Sequence, residues 1–387
     1  MKTPFPLIFA LWGAGLGSAA QYGKVSVVFD ALPAVYPGAG AALGFAVSLV
    51  GLVGIIFGVV AGLVVARVRY RRALIGALWV GAAMSAFQAL LPSLPLFLAS
   101  RVIEGASHLA IVVAAPTLIA QLSAPKDRGL TLSLWGTFFG VAFAILSLLG
   151  RPLVDSWGIS ALFVAHAVYM AGFAVFLSAR LKRLPPEGPQ PVLNLRQIIR
   201  DHGAIYRSPR ISAPAAGWLF YTFCFVSILT VLPPYLAPEL RNMILAAMPL
   251  VSIAVSMTVG VWLMRHLQAV QVVELGFAGS ALCLLWLWAV PGAPLACLAL
   301  AAGLGLIQGA SFAAVPQLND DAATQAKSNG AMAQMGNLGN TLGTPVVAAV
   351  LLGFGYAGMP VVAGVACLMG LGVHLILGHL RNRGSRS

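Results

Sequence analysis

Residues 100 to 109, S-R-V-I-E-G-A-S-H-L, place three ionisable side chains in a run otherwise rich in leucine, valine and alanine. Arg101, Glu104, Gly105 and His108 recur at i, i+3, i+4 and i+7, so a helix presents all four on one face. A guanidinium one turn from a carboxylate forms an ion pair, and such a pair takes up or releases a proton as it opens and closes. Lys24 is a second cation inside an apolar stretch. An ionised group in lipid costs roughly 2.5–3.5 kcal/mol or more, so each needs a partner, an aqueous cavity or a route to the interface. A structural i,i+3 pair, a snorkelling Lys24 and a hydrogen-bonded interior His108 are the non-functional readings of these residues.

The elements that carry them are set by composition. Of 387 residues 60% are hydrophobic and 9% charged, and the mean hydropathy is +0.93, which excludes a water-soluble chain of this length. A hydrocarbon core of ~30 Å asks for about 20 apolar residues per helix. Such windows occur near 5–29, 41–66, 73–91, 95–122, 129–150, 158–180, 213–235, 243–265, 270–289, 293–318, 328–353 and 358–380. The expected fold is therefore an all-α integral membrane protein with twelve spans. The first window has no small-x-small cleavage pattern and reads as a retained span. Cys224, Cys283, Cys297 and Cys367 all fall inside spans without metal-like spacing, and no metal or cofactor is expected.

The net charge of +13 does not point to nucleic acid, because its distribution follows the helix ends. With the N-terminus inside, 19 of the 23 cations fall on the inner side, against Arg151 and Arg241 outside, while Lys24 and Arg101 lie within spans. Both termini are thus expected in the cytoplasm of a bacterial-type inner membrane. Residues 181–212 separate six spans from six, giving units 1–180 and 213–387. The linker begins with Pro185, Pro186, Pro189 and Pro191 and continues as a basic amphipathic stretch around Leu193, Arg196, Ile199 and Arg200, suited to the membrane surface.

The halves echo each other. Leu32-Pro33 matches Leu232-Pro233, Gly62 and Arg67 match Gly260 and Arg265, Pro116 matches Pro316, and I-E-G-A-S at 103–107 matches I-Q-G-A-S at 307–311. The offsets are 200, 198, 200 and 204, as if about one helical turn were missing after the last pair. On these offsets Lys24 corresponds to Cys224, Gln21 to Tyr221, Arg101 to Gly305 and Glu104 to Gln308. The second copy lacks the charges, so folding does not require them.

A parallel repeat of two six-helix halves is common among secondary transporters, and the chain resembles the major facilitator superfamily over nearly its whole length. The stretch G-L-V-V-A-R-V-R-Y-R-R at 62–72 resembles that superfamily's loop motif, with Gly62, Arg67, Arg71 and Arg72 in place. Ala66 stands where the family usually has Asp, and Arg69 or Tyr70 where it has a second Gly. R-V-I-E-G at 101–105 is similar to the family's Arg-x-x-Gln/Glu-Gly motif. G-T-F-F-G-V-A-F-A at 136–144 keeps two glycines of the antiporter motif but has Val141 for its Pro. Together with A-A-P-T-L-I-A at 114–120, the fourth span is similar to cyanate-permease-like members.

The resemblance implies a secondary active transporter whose first, fourth, seventh and tenth spans line a central cavity. Lys24 and Arg101, each ~8–9 Å from the outer side, would then attract an anionic or zwitterionic small-molecule substrate, with Gln21, Tyr221, Gln308 and Ser311 as hydrogen-bonding partners. Glu104, with Arg101 and His108, would carry the coupling proton. Gly54, Gly58 and Gly62, like Gly339 and Gly343, form small-residue ridges expected at the moving seam between the halves. The expected partners are substrate, protons and the bilayer, with no nucleic acid, and the chain is expected to act as a monomer. A proton antiporter for export and a non-transporting sensor or scaffold are the alternatives. No phosphate-binding G-x-x-x-x-G-K-[ST], H-E-x-x-H or G-x-S-x-G motif occurs, so neither a pump nor an enzyme is expected.

Overall fold

The computed structural model describes residues 2–58, 60–182 and 202–384. Every regular element among them is helical, the solution that satisfies each backbone N–H and C=O within its own segment where no water is available. Ten helices are long and apolar enough to cross a bilayer, and two further helices of 22 and 19 residues run among them, which makes twelve.

In the first half these are α1 (Phe5–Ser26), α2 (Gly40–Phe57, continued after a break as Ala61–Val68) and α3 (Tyr70–Gln88). They are followed by α4 (Leu94–Leu122), α5 (Arg128–Gly136 and then Phe138–Trp157) and α6 (Ile159–Leu181). The second half holds α7 (Ala213–Val231), α8 (Pro238–Leu263), α9 (Ala269–Ala289), α10 (Pro294–Leu318), α11 (Ala322–Phe354) and α12 (Gly358–Gly384). The amphipathic stretch expected around 193–200 lies outside the described residues.

Three boundaries differ from expectation. The second span is interrupted after Phe57, at Gly58, and resumes at Ala61. The fifth runs past residue 150 to Trp157, and stops where Gly158 takes a φ of 82° that a side chain disfavours. Arg151, expected in a loop, is therefore helical, and its guanidinium bonds Asp30 at 2.6 Å and Asp155 at 3.0 Å. The third difference is at the junction of α2 and α3, where Arg69 adopts a φ of 78°. That is the place of the loop motif's missing glycine, and the departure leaves a residue with a Cβ in a region glycine occupies freely.

Packing also corrects the repeat. A side chain on Gly105 of α4 would run into the backbone of Val50 on α2, and one on Gly305 of α10 into the backbone of Ser252 on α8. These two glycines make the same helix-to-helix approach, so they are the equivalent pair, at the offset of 200 shared by Pro116 and Pro316. The I-E-G-A-S and I-Q-G-A-S match is one turn out of structural register, and no turn has been lost. On the offset of 200, Lys24, Arg101, Glu104 and His166 correspond to Cys224, Ala301, Leu304 and Ala366. All four counterparts are buried.

The halves meet along α2 against α11, α5 against α8 and α1 against α7. Gly44 abuts Pro345, Gly51 abuts Thr341 and Asn337, Gly54 abuts Asn337 and Gly58 abuts Gln334. Gln334 Nε2 donates to the Ile55 carbonyl at 2.7 Å, Thr341 Oγ1 to the Ser48 carbonyl at 3.2 Å, and the Ser26 and Thr230 hydroxyls lie 2.6 Å apart. Gly54 and Gly58 are thus at the seam. Gly62 is not: it is exposed, with open space where a side chain would go, because α2 has already broken away from α11. Gly339 and Gly343 pack instead on the backbone of α7 around Leu219 and Phe223, inside their own half.

These placements separate two kinds of glycine. Gly343→Leu should lower the melting temperature, since overpacking costs about 1–3 kcal/mol within a bundle, whereas Gly62→Ala should be silent. Gly54→Leu should instead part the seam, seen as faster maleimide labelling of a cysteine placed at Ser26 in a background without the native cysteines. Arg69→Gly should raise thermal stability, because a strained φ stores about 1–3 kcal/mol; an unchanged melting temperature would show that Arg69 carries no strain.

Candidate functional site

Arg101 and Glu104 are completely buried on α4, and His108 is 6% exposed. The guanidinium of Arg101 binds on three sides. One terminal nitrogen bonds a Glu104 carboxylate oxygen, the other bonds the Gln21 carbonyl of α1, and Nε donates to the Ala46 carbonyl of α2 at 2.7 Å. An arginine offers five fixed donors, which is why one side chain can tie three helices together here.

Lys24 of α1 is also fully buried, so it does not snorkel. Its ammonium lies 2.6 Å from the other Glu104 oxygen, 2.5 Å from Ser85 Oγ on α3 and 3.3 Å from His166 Nδ1 on α6. The Phe163 ring sits 5.4 Å from the same nitrogen. His166 Nε2 lies 2.8 Å from the Gly17 carbonyl, which only accepts, so Nε2 carries the proton and Nδ1 receives the Ser85 hydroxyl at 2.6 Å. Gln88 completes the group, donating at 2.9 Å to the Glu104 oxygen that Arg101 also binds. The Glu104 carboxylate is thereby held by donors from α1, α3 and α4.

The four ionisable groups thus form one cluster inside the first half, enclosed by α1, α2, α3, α4 and α6. The charged face of α4 turns into its own bundle and not onto a wall shared with the second half. Ser85, Gln88 and His166 escaped the sequence reading; their signal was that each is a polar residue in an apolar span, with Ser85 and Gln88 one turn apart on a single face.

The other expected residues spread over separate places. Gln21 Nε2 donates to Ser107 Oγ at 2.9 Å, and Ser107 passes the bond to the Ala77 carbonyl. His108 Nδ1 pairs with Ser18 at 2.9 Å and meets the Tyr22 ring edge-on, outside the ionic cluster. In the second half Tyr221 and Ser252 both donate to Gln308 Oε1, at 3.2 and 3.3 Å. Ser311, one turn further along α10, is buried beside Gly217 of α7 and His374 of α12. Arg67, Arg71 and Arg72 sit at the termini-bearing face, where α2 hands over to α3.

Between the halves lies an aromatic layer. Phe225 of α7 is 6.2 Å from Phe139 and 6.0 Å from Phe143 of α5, Tyr221 stacks on Phe225 at 5.5 Å, and Tyr22 contacts Phe139 at 5.9 Å. Beyond it, at the face away from the termini, Ser26, Phe143, Leu229 and Pro233 enclose a cavity of only about 10 Å³. That is room for about one water. Tyr22 has a second role. Its ring lies within the cluster's half and its hydroxyl reaches Gly51 at the seam, where it meets the Asn340 side chain.

The same architecture is known elsewhere. A bacterial homologue of the human lysosomal transporter Spinster, solved in an inward-facing and unoccupied conformation, superimposes with a TM-score of 0.78 over 98% of both chains at 14% identity. The inner membrane transport protein YajR of Escherichia coli (strain K12) is 28% identical over 163 residues, which is 41% of this chain and 36% of that protein. The match thus spans about a third of that relative's length. The family model described as Major Facilitator Superfamily matches residues 9–344. With that match across most of its length, and with the twelve-helix architecture, the chain belongs to the Major Facilitator Superfamily.

Proposed function

We propose that the chain is a secondary active transporter that moves a small anionic or zwitterionic organic solute across the inner membrane, coupled to protons, with both termini cytoplasmic. Substrate exposure alternates as the two halves rock about the seam. The observation that carries this reading is a charge count. Lys24 and Arg101 bring two positive charges and Glu104 one negative, so the fully buried cluster holds one positive charge in excess while His166 is neutral. Buried charge without a counterion is expensive. The group is relieved by losing a proton or by drawing an anion to its edge, and those are the two events a proton-coupled anion carrier must link.

The repeat adds weight. Cys224, Ala301, Leu304 and Ala366 fill the equivalent positions without charge, so the second half packs its helices without a counterpart of the cluster. The exchangeable proton belongs to Lys24, Glu104 and His166 as a unit, with Arg101 as its fixed anchor. Tyr22 connects that unit to the seam, where its hydroxyl meets Asn340 and Tyr221 and Gln308 lie across in the second half. His108 stands apart from the proton unit and serves the packing of α1 on α4.

The charge count makes an asymmetric stability prediction. Glu104→Gln leaves two buried cations without a counterion and should cost about 3–5 kcal/mol, while Lys24→Met leaves a neutral Arg101–Glu104 pair and should be neutral or stabilising. The double variant Lys24→Met/Glu104→Gln removes one of the two unpaired cations and should regain part of the loss. Equal destabilisation by both single changes, read by thermal unfolding in detergent, would overturn the count.

Function is tested in liposomes holding the purified protein, with labelled mono- and dicarboxylates and amino acids as probes. A one-proton symport should concentrate its solute about tenfold per pH unit of gradient. The double variant should still exchange that solute across the membrane but no longer concentrate it. Accumulation equal to wild type would remove Lys24 and Glu104 from coupling.

A further inference from the structure

A second charged site lies at the opposite edge of the molecule. The last residues of α10 and α12, the loop from α8 to α9 and the residues leading into α7 surround an open pocket of about 750 Å³ at the termini-bearing face. Arg210, Arg265, His266 and Arg381 line it, brought there from three separate segments. Glu274, one turn into α9, is the carboxylate that interacts with Arg381. Among the described residues, three arginines around one cavity exceed the one carboxylate that interacts with Arg381, and like charges gathered in one place oppose the fold unless an anion screens them.

Other features narrow the occupant. The first amide of α9, at Ala269, is already taken by Gln317 Oε1 at 2.8 Å, and the Gln268 amide by Gln271 Oε1 at 2.9 Å. The helix end therefore does not supply the binding; the guanidinium groups do. Their planar forks match phosphate oxygens two at a time. Beside the pocket, Trp262 is 57% exposed on the outer surface of α8 and its ring meets His266 at 5.5 Å. An exposed indole at a helix end is the ordinary marker of the level where acyl chains give way to headgroups.

We propose that this pocket binds a phosphate-bearing anion, and that at this depth the phosphate is the headgroup of an anionic phospholipid in the leaflet facing the termini. The headgroup sits among Arg210, Arg265 and Arg381, and its acyl chains run down past Trp262. Bound there, the lipid bridges the entry to α7, the α8–α9 loop and the ends of α10 and α12, all within the second half. The site is independent of the buried cluster in the first half and of the transport reading.

The test is a thermal-shift titration of the full chain in maltoside micelles with phosphatidylglycerol, phosphatidylcholine and inorganic phosphate. Phosphatidylglycerol should raise the melting temperature in a saturable way and phosphatidylcholine should not. Arg210→Gln/Arg265→Gln should weaken the apparent affinity about 25-fold, at about fivefold per cation. Lys2→Gln/Lys126→Gln, which removes the same charge elsewhere on this face, should leave it unchanged. Arg381 is kept in both variants because it also holds the Pro209 carbonyl at 3.2 Å. A shift with inorganic phosphate as well supports the phosphate as the recognised group. A shift with inorganic phosphate alone overturns the lipid source, and an equal response in the arginine variant or an equal shift with phosphatidylcholine overturns the site.

Discussion

The guanidinium of Arg101 is the interaction on which the first half depends. It lies where no water reaches, yet five donors on a rigid plane find a carboxylate on α4 and carbonyls on α1 and α2. In lipid, apolar side chains supply little reason for one helix to prefer another, and directional polar contacts must do so. Arg101 fixes the rotation of α1, α2 and α4 together, and this fixed frame lets Lys24 and Gln88 reach Glu104 while Ser85 and His166 hold Lys24 from α3 and α6. A lysine in its place would offer three donors on one nitrogen and could not span the same carbonyls.

The second half solves the same packing problem differently. Its equivalents of the ionic residues are small or apolar, and Cys224 rests on Cys367 at 3.9 Å where Lys24 faces α6. Close backbone approach does the work there: α11 lies on α7 through Gly339 and Gly343, and α10 on α8 through Gly305. Both halves thus use close glycine contact, as at Gly105 and Gly305, and the first half adds a charged cluster to it. A rocking motion asks for two rigid bodies and a yielding contact, and the seam supplies the latter through Gly44, Gly51, Gly54 and Gly58, with few hydrogen bonds across it.

The broken glycine ridges show how far a motif can be read. In sequence, Gly54, Gly58 and Gly62 form one stripe. In the molecule the stripe ends at the break at Gly58, and the remaining helical turn leads outward to Arg67 and the strained Arg69. The loop motif turns the chain from α2 into α3, and its departure at Arg69 is recorded in the backbone as a positive φ.

Much of the architecture was legible in the chain itself. Twelve apolar windows, the repeat near 200 residues and the one-face spacing of Arg101, Glu104 and His108 follow from bilayer thickness and helical period, which are local properties. The partners of those residues were not legible, because helix rotation is decided by contacts between segments far apart in sequence. Lys24 meets Glu104 across 80 residues and approaches His166 across 142, and no spacing rule relates them. The repeat register shows the same limit: I-E-G-A-S and I-Q-G-A-S look equivalent as letters, yet Gly105 aligns with Gly305 because both must clear a neighbouring backbone. Sequence alone determined that charges had to be buried in this membrane protein and on which helix face. Only the tertiary structure decided that they close on one another inside the first half, since each unpaired charge was costly enough to turn its helix toward a partner and not toward an open cavity.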